Sequence, residues 1–217
     1  MFGRAFAFAA LTLFSCTVLS AGLITGVTIN SFSSEVNGDS GWNLQAVHLV
    51  DGSGLSGGFH GDCHENGTCW QNGYFGGIPA WVIFDLNDAY TVDSIHIWNG
   101  YWADYESGRS ANSVEISTSD NLSDWTDRGT YQFPMAPDFT TNYAGFELGG
   151  LGWSDTRYVR FVINSNYGGG SCGGCVTMAE VQFFGASDGS EIPEPGTIWL
   201  VSIAGALMLW RRRASRC

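Results

Sequence analysis

The chain has 217 residues, a formal net charge of −12 and no lysine; its basic side chains are nine arginines. Arg4, Arg211, Arg212, Arg213 and Arg216 lie at the two ends, so between Arg4 and Arg211 only four arginines stand against all 21 acidic residues. A segment that acidic repels phosphate backbones and anionic lipid surfaces, which excludes nucleic-acid binding and leaves neutral polymers or cations as fitting partners.

From the N-terminus, Arg4 is followed by an apolar run (Ala5 to Leu19) and by small residues at Ser20, Ala21 and Gly22. A basic start, an apolar core and a small-residue cleavage site predict a secretory signal peptide over residues 1–21. One domain is expected over 22–186, long enough for a core of its own. No stretch of it keeps a 3.6-residue apolar period. Short apolar or alternating runs lie between Gly, Asn, Asp and Ser clusters. These runs are Trp81–Phe84, Tyr90–Asn99 with Val92 out of phase, Ser113–Thr118, Tyr158–Asn164 and Met178–Phe184. At least seven short strands with no room for helices between them predict an all-β, antiparallel jelly-roll sandwich. Trp81, Trp98 and Trp125 are expected in its core.

Between the runs lie residues with chemistry. Asp51-Gly52-Ser53-Gly54-Leu55-Ser56 puts a carboxylate, permissive glycines and hydroxyls on one tight loop, which suits calcium because that ion takes six to eight oxygens, many of them carbonyls. Cys63, Cys69, Cys172 and Cys175 in an exported domain point to two disulfides. Three pairings are open, and the local one, Cys63–Cys69 with Cys172–Cys175, is favoured; a zinc site using these cysteines, with His60 or His64, is the alternative. Aromatic and polar side chains of the sort that hold sugars collect on three loops. They are His60, His64, Trp70 and Tyr74 on the first, Asn99, Trp102 and Arg109 on the second, and Tyr167 on the third. Asp104 and Glu106 are an adjacent acidic pair of the kind that usually faces solvent. No Gly-x-Ser-x-Gly or His-Glu-x-x-His motif is present, and the chain is not expected to be an enzyme.

After a linker over 187–196 that contains Ile192-Pro193-Glu194-Pro195-Gly196, an apolar run from Ile198 to Trp210 precedes Arg211-Arg212-Arg213. The run is shorter than the roughly 20 residues of a comfortable transmembrane helix, and its arginines favour the cytoplasmic side. Pro-Glu-Pro, a short apolar helix and terminal arginines together resemble the PEP-CTERM sorting signal of Gram-negative bacteria, with Pro193, Glu194 and Pro195 as its motif. The resemblance implies an exosortase-type sorting protease as partner and a transient inner-membrane anchor over 197–217. It also implies delivery to the cell surface or extracellular matrix.

Within the domain, Asn43-Leu44 to Asp51-Gly52, Trp81-Val82-Ile83-Phe84-Asp85-Leu86 and Tyr90-Thr91-Val92-Asp93-Ser94-Ile95 occur in order. They are followed by Val114-Glu115-Ile116-Ser117-Thr118-Ser119 with Trp125, Arg157-Tyr158-Val159-Arg160-Phe161, and Ala179-Glu180-Val181-Gln182-Phe183-Phe184-Gly185. The set resembles the discoidin (coagulation factor 5/8 type C) domain with its galactose-binding-like jelly roll. That resemblance implies one structural calcium held by Asp51, Ser53, Ser56, the Ala179 carbonyl and Glu180. It also implies glycan contacts on loops at one end of the sandwich, Asn99 and Arg109 among them. The expected function is a non-catalytic, surface-directed binding module for an extracellular polysaccharide or other glycan. A matrix component with no defined small ligand is the alternative, and an exported hydrolase a more distant one.

Overall fold

The inward residues of the longest strand set the architecture. In a computed structural model, which describes residues 21–38, 42–63, 67–73, 76–100, 107–137, 142–168, 172 and 174–188, Val82, Phe84 and Leu86 are fully buried while Trp81, Ile83 and Asp85 alternate with them and are half-buried. That period of two is a strand with one face on a core. It belongs to β8 (Ala80–Asn99), which reads through the expected break at Asp85-Leu86 and joins two predicted strands into one of 20 residues. Asn87 marks the bend, with a φ of 68° and its N–H bonded to Asp85 Oδ1 at 2.8 Å.

Twelve strands occur among the described residues, and every ladder between them is antiparallel. Besides β8 they are β1 (Gly22–Leu23), β2 (Thr28–Phe32), β3 (Val36–Asn37), β4 (Asn43–Leu44), β5 (Leu55–Ser56), β6 (Phe59–His60), β7 (Trp70–Gln71), β9 (Ser113–Ser119), β10 (Thr126–Gln132), β11 (Phe146–Ile163) and β12 (Thr177–Ser187). β8 and the 18-residue β11 each run through both layers of a sandwich. Their first contact is Ala80 with Ile163 and their last is Ile97 with Phe146. One layer is built by β2, the start of β8, the end of β11, β9 and β10; the other by β1, β12, the end of β8 and the start of β11. Edge-on phenylalanine contacts fill the space between them. Phe84 meets Phe161 and Phe183 with ring centroids 5.2 Å apart, and Phe133 meets Phe146 at 5.1 Å, the geometry aromatic pairs prefer.

Val92 is out of phase because the β8–β12 register slips between Phe184 and Gly185, so Asp93 has no partner and both Val92 and Ile95 reach the core. A second slip, between Met178 and Glu180, leaves Ala179 bulged. It turns Ala179 away from the main core and into a smaller one with Trp98, Leu44, Cys63, Cys69 and Tyr143. Bulges re-aim side chains in this way.

Of the tryptophans expected in the core, only Trp98 is there, in the smaller cluster. Trp81 faces outward on β8, opposite Val162. Trp125 lies half-buried outside the sandwich with the Arg160 guanidinium 4.3 Å from its ring centroid. The signal segment and the sorting tail, with Pro193, Glu194 and Pro195, lie outside the described residues. Among those described, no helix is long and apolar enough to cross a membrane.

Candidate functional site

Because β8 and β11 double back through the layers, the end of β8, the start of β9, the end of β10, the end of β11 and the start of β12 meet at one end of the sandwich. Asn99 sits at its centre, fully buried. Its Nδ2 donates to the carbonyls of Ala111 (2.7 Å) and Pro134 (2.9 Å), and its Oδ1 accepts from the N–H groups of Ala111 (2.9 Å) and Gly100 (3.1 Å). With all four of these bonds made to backbone, Asn99 is a strut between loops rather than a ligand contact. Only glycine fits beside it, since a Cβ on Gly100 would run into the Thr177 backbone.

Arg109 ends a 3-10 turn, Ser107–Arg109, at this same end. It is 5% exposed and its Nη1 donates to Gln71 Oε1 at 3.0 Å. Tyr167 is attached directly beside it. The Tyr167 N–H bonds to the Gly108 carbonyl at 2.9 Å and its hydroxyl donates to the Phe133 carbonyl, yet the residue stays 41% exposed. The structure thus brings Asn99, Arg109 and Tyr167 together. It also exposes Met135, next to Pro134, which sequence reasoning missed.

Two expected contacts belong elsewhere. Trp70 is fully buried in the main core, its Nε1 donating to the Ser34 carbonyl at 2.9 Å, so its ring is not a sugar platform. His60 is fully buried in the β5–β6 hairpin, with Nδ1 2.7 Å from the Gly61 carbonyl and Nε2 3.0 Å from that of Ser53. Burial lowers its pKa against the pull of those carbonyls. A neutral ring carries one N–H, so it donates to only one of the two. Gly54 is required there, because a Cβ would stand 2.6 Å from the His60 ring. Trp102, His64, Tyr74, Asp104 and Glu106 lie outside the described residues.

The loop from Asp51 lies over the outer face of the second layer. The Gly52 N–H reaches Glu180 on β12, 128 residues away, and donates to its Oε2 at 3.2 Å. Asp51 and Glu180 line one surface cleft together with Thr25, Val27 and Val50. Burial pushes the Glu180 carboxyl up to about 8, against the Gly52 hydrogen bond and with help from the Asp51 charge. For Asp51 burial also raises the pKa, but hydrogen bonds from Ser53 and His48 outweigh it and hold the carboxyl below its usual range. Its Oδ1 accepts from the Ser53 N–H at 2.8 Å and its Oδ2 lies 3.0 Å from His48 Nδ1.

These two carboxylates are what the chain offers a cation here. Among the described residues no three His, Cys, Asp or Glu side chains cluster as metal ligands, so carbonyls and hydroxyls would have to complete the shell. That balance fits calcium better than zinc. Ser53 stands on the same loop. Ser56 follows three residues later, exposed in β5. The cysteines pair locally, Cys63 with Cys69 and Cys172 with Cys175, which leaves no thiolates for a zinc site.

The chain can now be set beside known proteins. Residues 48–161 match the family model of the F5/F8 type C group described as a NedA-like, galactose-binding domain. The chain belongs to the NedA-like galactose-binding family. Residues 191–213 match the PEP-CTERM protein-sorting motif, which marks the chain as exported, directed to the cell surface and processed by exosortase. Its fold is that of the C-terminal domain of a chitobiase from Bacteroides fragilis, at 21% identity and a TM-score of 0.56 over 77% of this chain and 98% of that one. A family 32 module of a Clostridium perfringens family 31 glycoside hydrolase is similar at 18% identity and a TM-score of 0.54, covering 76% and 94%. The family 32 module of C. perfringens NanJ, solved with galactose, is similar at 16% identity and a TM-score of 0.51, covering 76% and 98%. No curated protein matches the chain.

Proposed function

We propose that this protein is a non-catalytic carbohydrate-binding module displayed on the surface or in the extracellular matrix of a Gram-negative bacterium, its C-terminal helix holding it briefly in the inner membrane before exosortase cuts. The observation that carries this reading is Tyr167. The residue stays 41% exposed although two hydrogen bonds fix it to the carbonyls of Gly108 and Phe133. An aromatic side chain fixed in place at a loop end is the chemistry that receives the apolar face of a sugar, with nearby polar groups for its hydroxyls. Proteins of similar fold support the reading, since family 32 modules from C. perfringens were solved with galactose and with GalNAc-β-1,3-galactose. Trp102 and Arg109 complete the proposed site, with the glycan unspecified beyond a neutral or weakly charged polymer, given the acidity of the chain.

In the same proposal Asp51 and Glu180 hold one structural calcium, with oxygens of Ser53, Ser56 and Ala179. The ion would supply the positive charge that the buried Glu180 carboxylate lacks and tie the Asp51 loop to β12.

Calorimetric titration of the oxidised, calcium-loaded full chain in detergent, against neutral and acidic glycans, tests the binding. Saturable binding is expected, falling at least tenfold in Tyr167→Ala, about 1.4 kcal/mol. Uniform, unsaturable binding to every polymer would replace the module with a structural matrix component.

A further inference from the structure

We propose that Gln71 is the positioning residue of the ligand-binding end. One buried amide fixes the Arg109 guanidinium and the Cys175 arm of the adjoining disulfide ring in a single arrangement. What the arrangement serves is the carbohydrate reading above; that it exists follows from hydrogen bonds alone.

β7 has two residues, and both are fully buried. It is pinned to β12 by the pairs Trp70–Met178 and Gln71–Thr177. Trp70 and Met178 face the main core, so the alternation of a strand sends Gln71 the other way, toward Arg109. Its Oε1 accepts from Arg109 Nη1 at 3.0 Å and from Thr177 Oγ1 at 3.4 Å, while its Nε2 lies 3.7 Å from Cys175 Sγ. Its neighbour Asn72 holds the other side of the same loop. Asn72 Nδ2 donates to the carbonyls of Gly77 and Gly174, and its Oδ1 accepts from the Val176 N–H at 2.6 Å. Asn166, next to Tyr167, donates to the Cys175 carbonyl at 2.8 Å. A chain of contacts thus runs from Arg109 through Gln71 and Cys175 to the residue beside Tyr167.

The chemistry of the holder matters. A free arginine side chain carries much rotamer entropy, and ordering it at the moment of binding weakens affinity. Gln71 orders it beforehand. The acceptor it supplies is neutral, so it orients the guanidinium without cancelling its charge, whereas a glutamate at 71 would do both.

The test uses the oxidised, calcium-loaded full chain with Gln71→Met, which keeps length and removes the acceptor, and Gln71→Glu, which keeps an acceptor. Nitrogen NMR of the arginine side chains, with Arg109→Ala for assignment, reads guanidinium rotation, and calorimetry reads galactose affinity. In Gln71→Met the Arg109 Nη signals are expected to coalesce and affinity to fall about tenfold; in Gln71→Glu, whose charged acceptor holds the guanidinium more strongly, rotation is expected to slow further. Unchanged Arg109 rotation in Gln71→Met overturns the proposal. If that variant does not fold, rotation in Gln71→Glu no slower than in wild type does the same. Should the wild type bind no glycan, the carbohydrate reading falls, while coalescence in Gln71→Met still supports the role of Gln71 and its absence still overturns it.

Discussion

Chelation of the calcium-loaded protein is expected to lower its melting temperature, and to lower it more at pH 8 than at pH 5. Glu180 is 2% exposed and sits beside a second carboxylate. Without a cation, burial raises its pKa from 4.5 to about 8, so the fold binds a proton there that the unfolded chain releases. That contribution is complete below about pH 4.5 and is lost as pH rises through about 8, because stability falls with pH wherever the native state holds the extra proton. The loss is on the order of a few kcal/mol. For a domain of this size it corresponds to roughly 5–10 °C in melting temperature. A bound calcium removes it by giving the ionised carboxylate a partner. Glu180→Gln is expected to flatten the pH dependence between 5 and 8 and to make the protein indifferent to EDTA. A wild-type melting curve that EDTA leaves unmoved at both pH values would contradict the calcium site.

Replacing Asn99 by alanine is expected to cost about 4 kcal/mol, because it strands the Ala111 N–H and the Ala111 and Pro134 carbonyls together, while the Gly100 N–H keeps the Thr177 carbonyl. Asn99→Asp is expected to do no better. It keeps the acceptor for the two N–H groups but leaves both carbonyls without a donor and adds a buried charge. Urea unfolding of the two variants measures this. A loss below 1 kcal/mol in Asn99→Ala would show that the loops hold themselves and that Asn99 is free to serve a ligand.

The sandwich was legible because inward residues declare themselves by alternation, as Val159, Phe161 and Ile163 do on β11 and Val114 and Ile116 on β9. Even the misfit at Val92 carried information, being the sign of a slipped register. Outward aromatics are harder to place. The run Trp81-Val82-Ile83-Phe84 is apolar on both faces of β8, and composition alone cannot say that Trp81 and Ile83 face out. The Asp51–Glu180 meeting spans the length of the domain and was visible only through the family resemblance. His60, Trp70 and Asn99 have the residue types of a sugar site, yet the fold uses the bonding groups of each to hold its own backbone. Gln71 left no signal, because a strand of two residues has no period to read and its partner Arg109 lies 38 positions away.

A binding module is defined most directly by where a sugar touches the protein. Backbone amide shifts of the labelled, calcium-loaded chain, followed during titration with galactose, would locate it. The expected result is a set of saturable shifts confined to the loop end, at Gly108 to Asn112, Phe133 to Ala136 and Asn166 to Gly168, that disappears in Tyr167→Ala. Saturable shifts centred on any other surface, with those loops silent, would contradict the site proposed here.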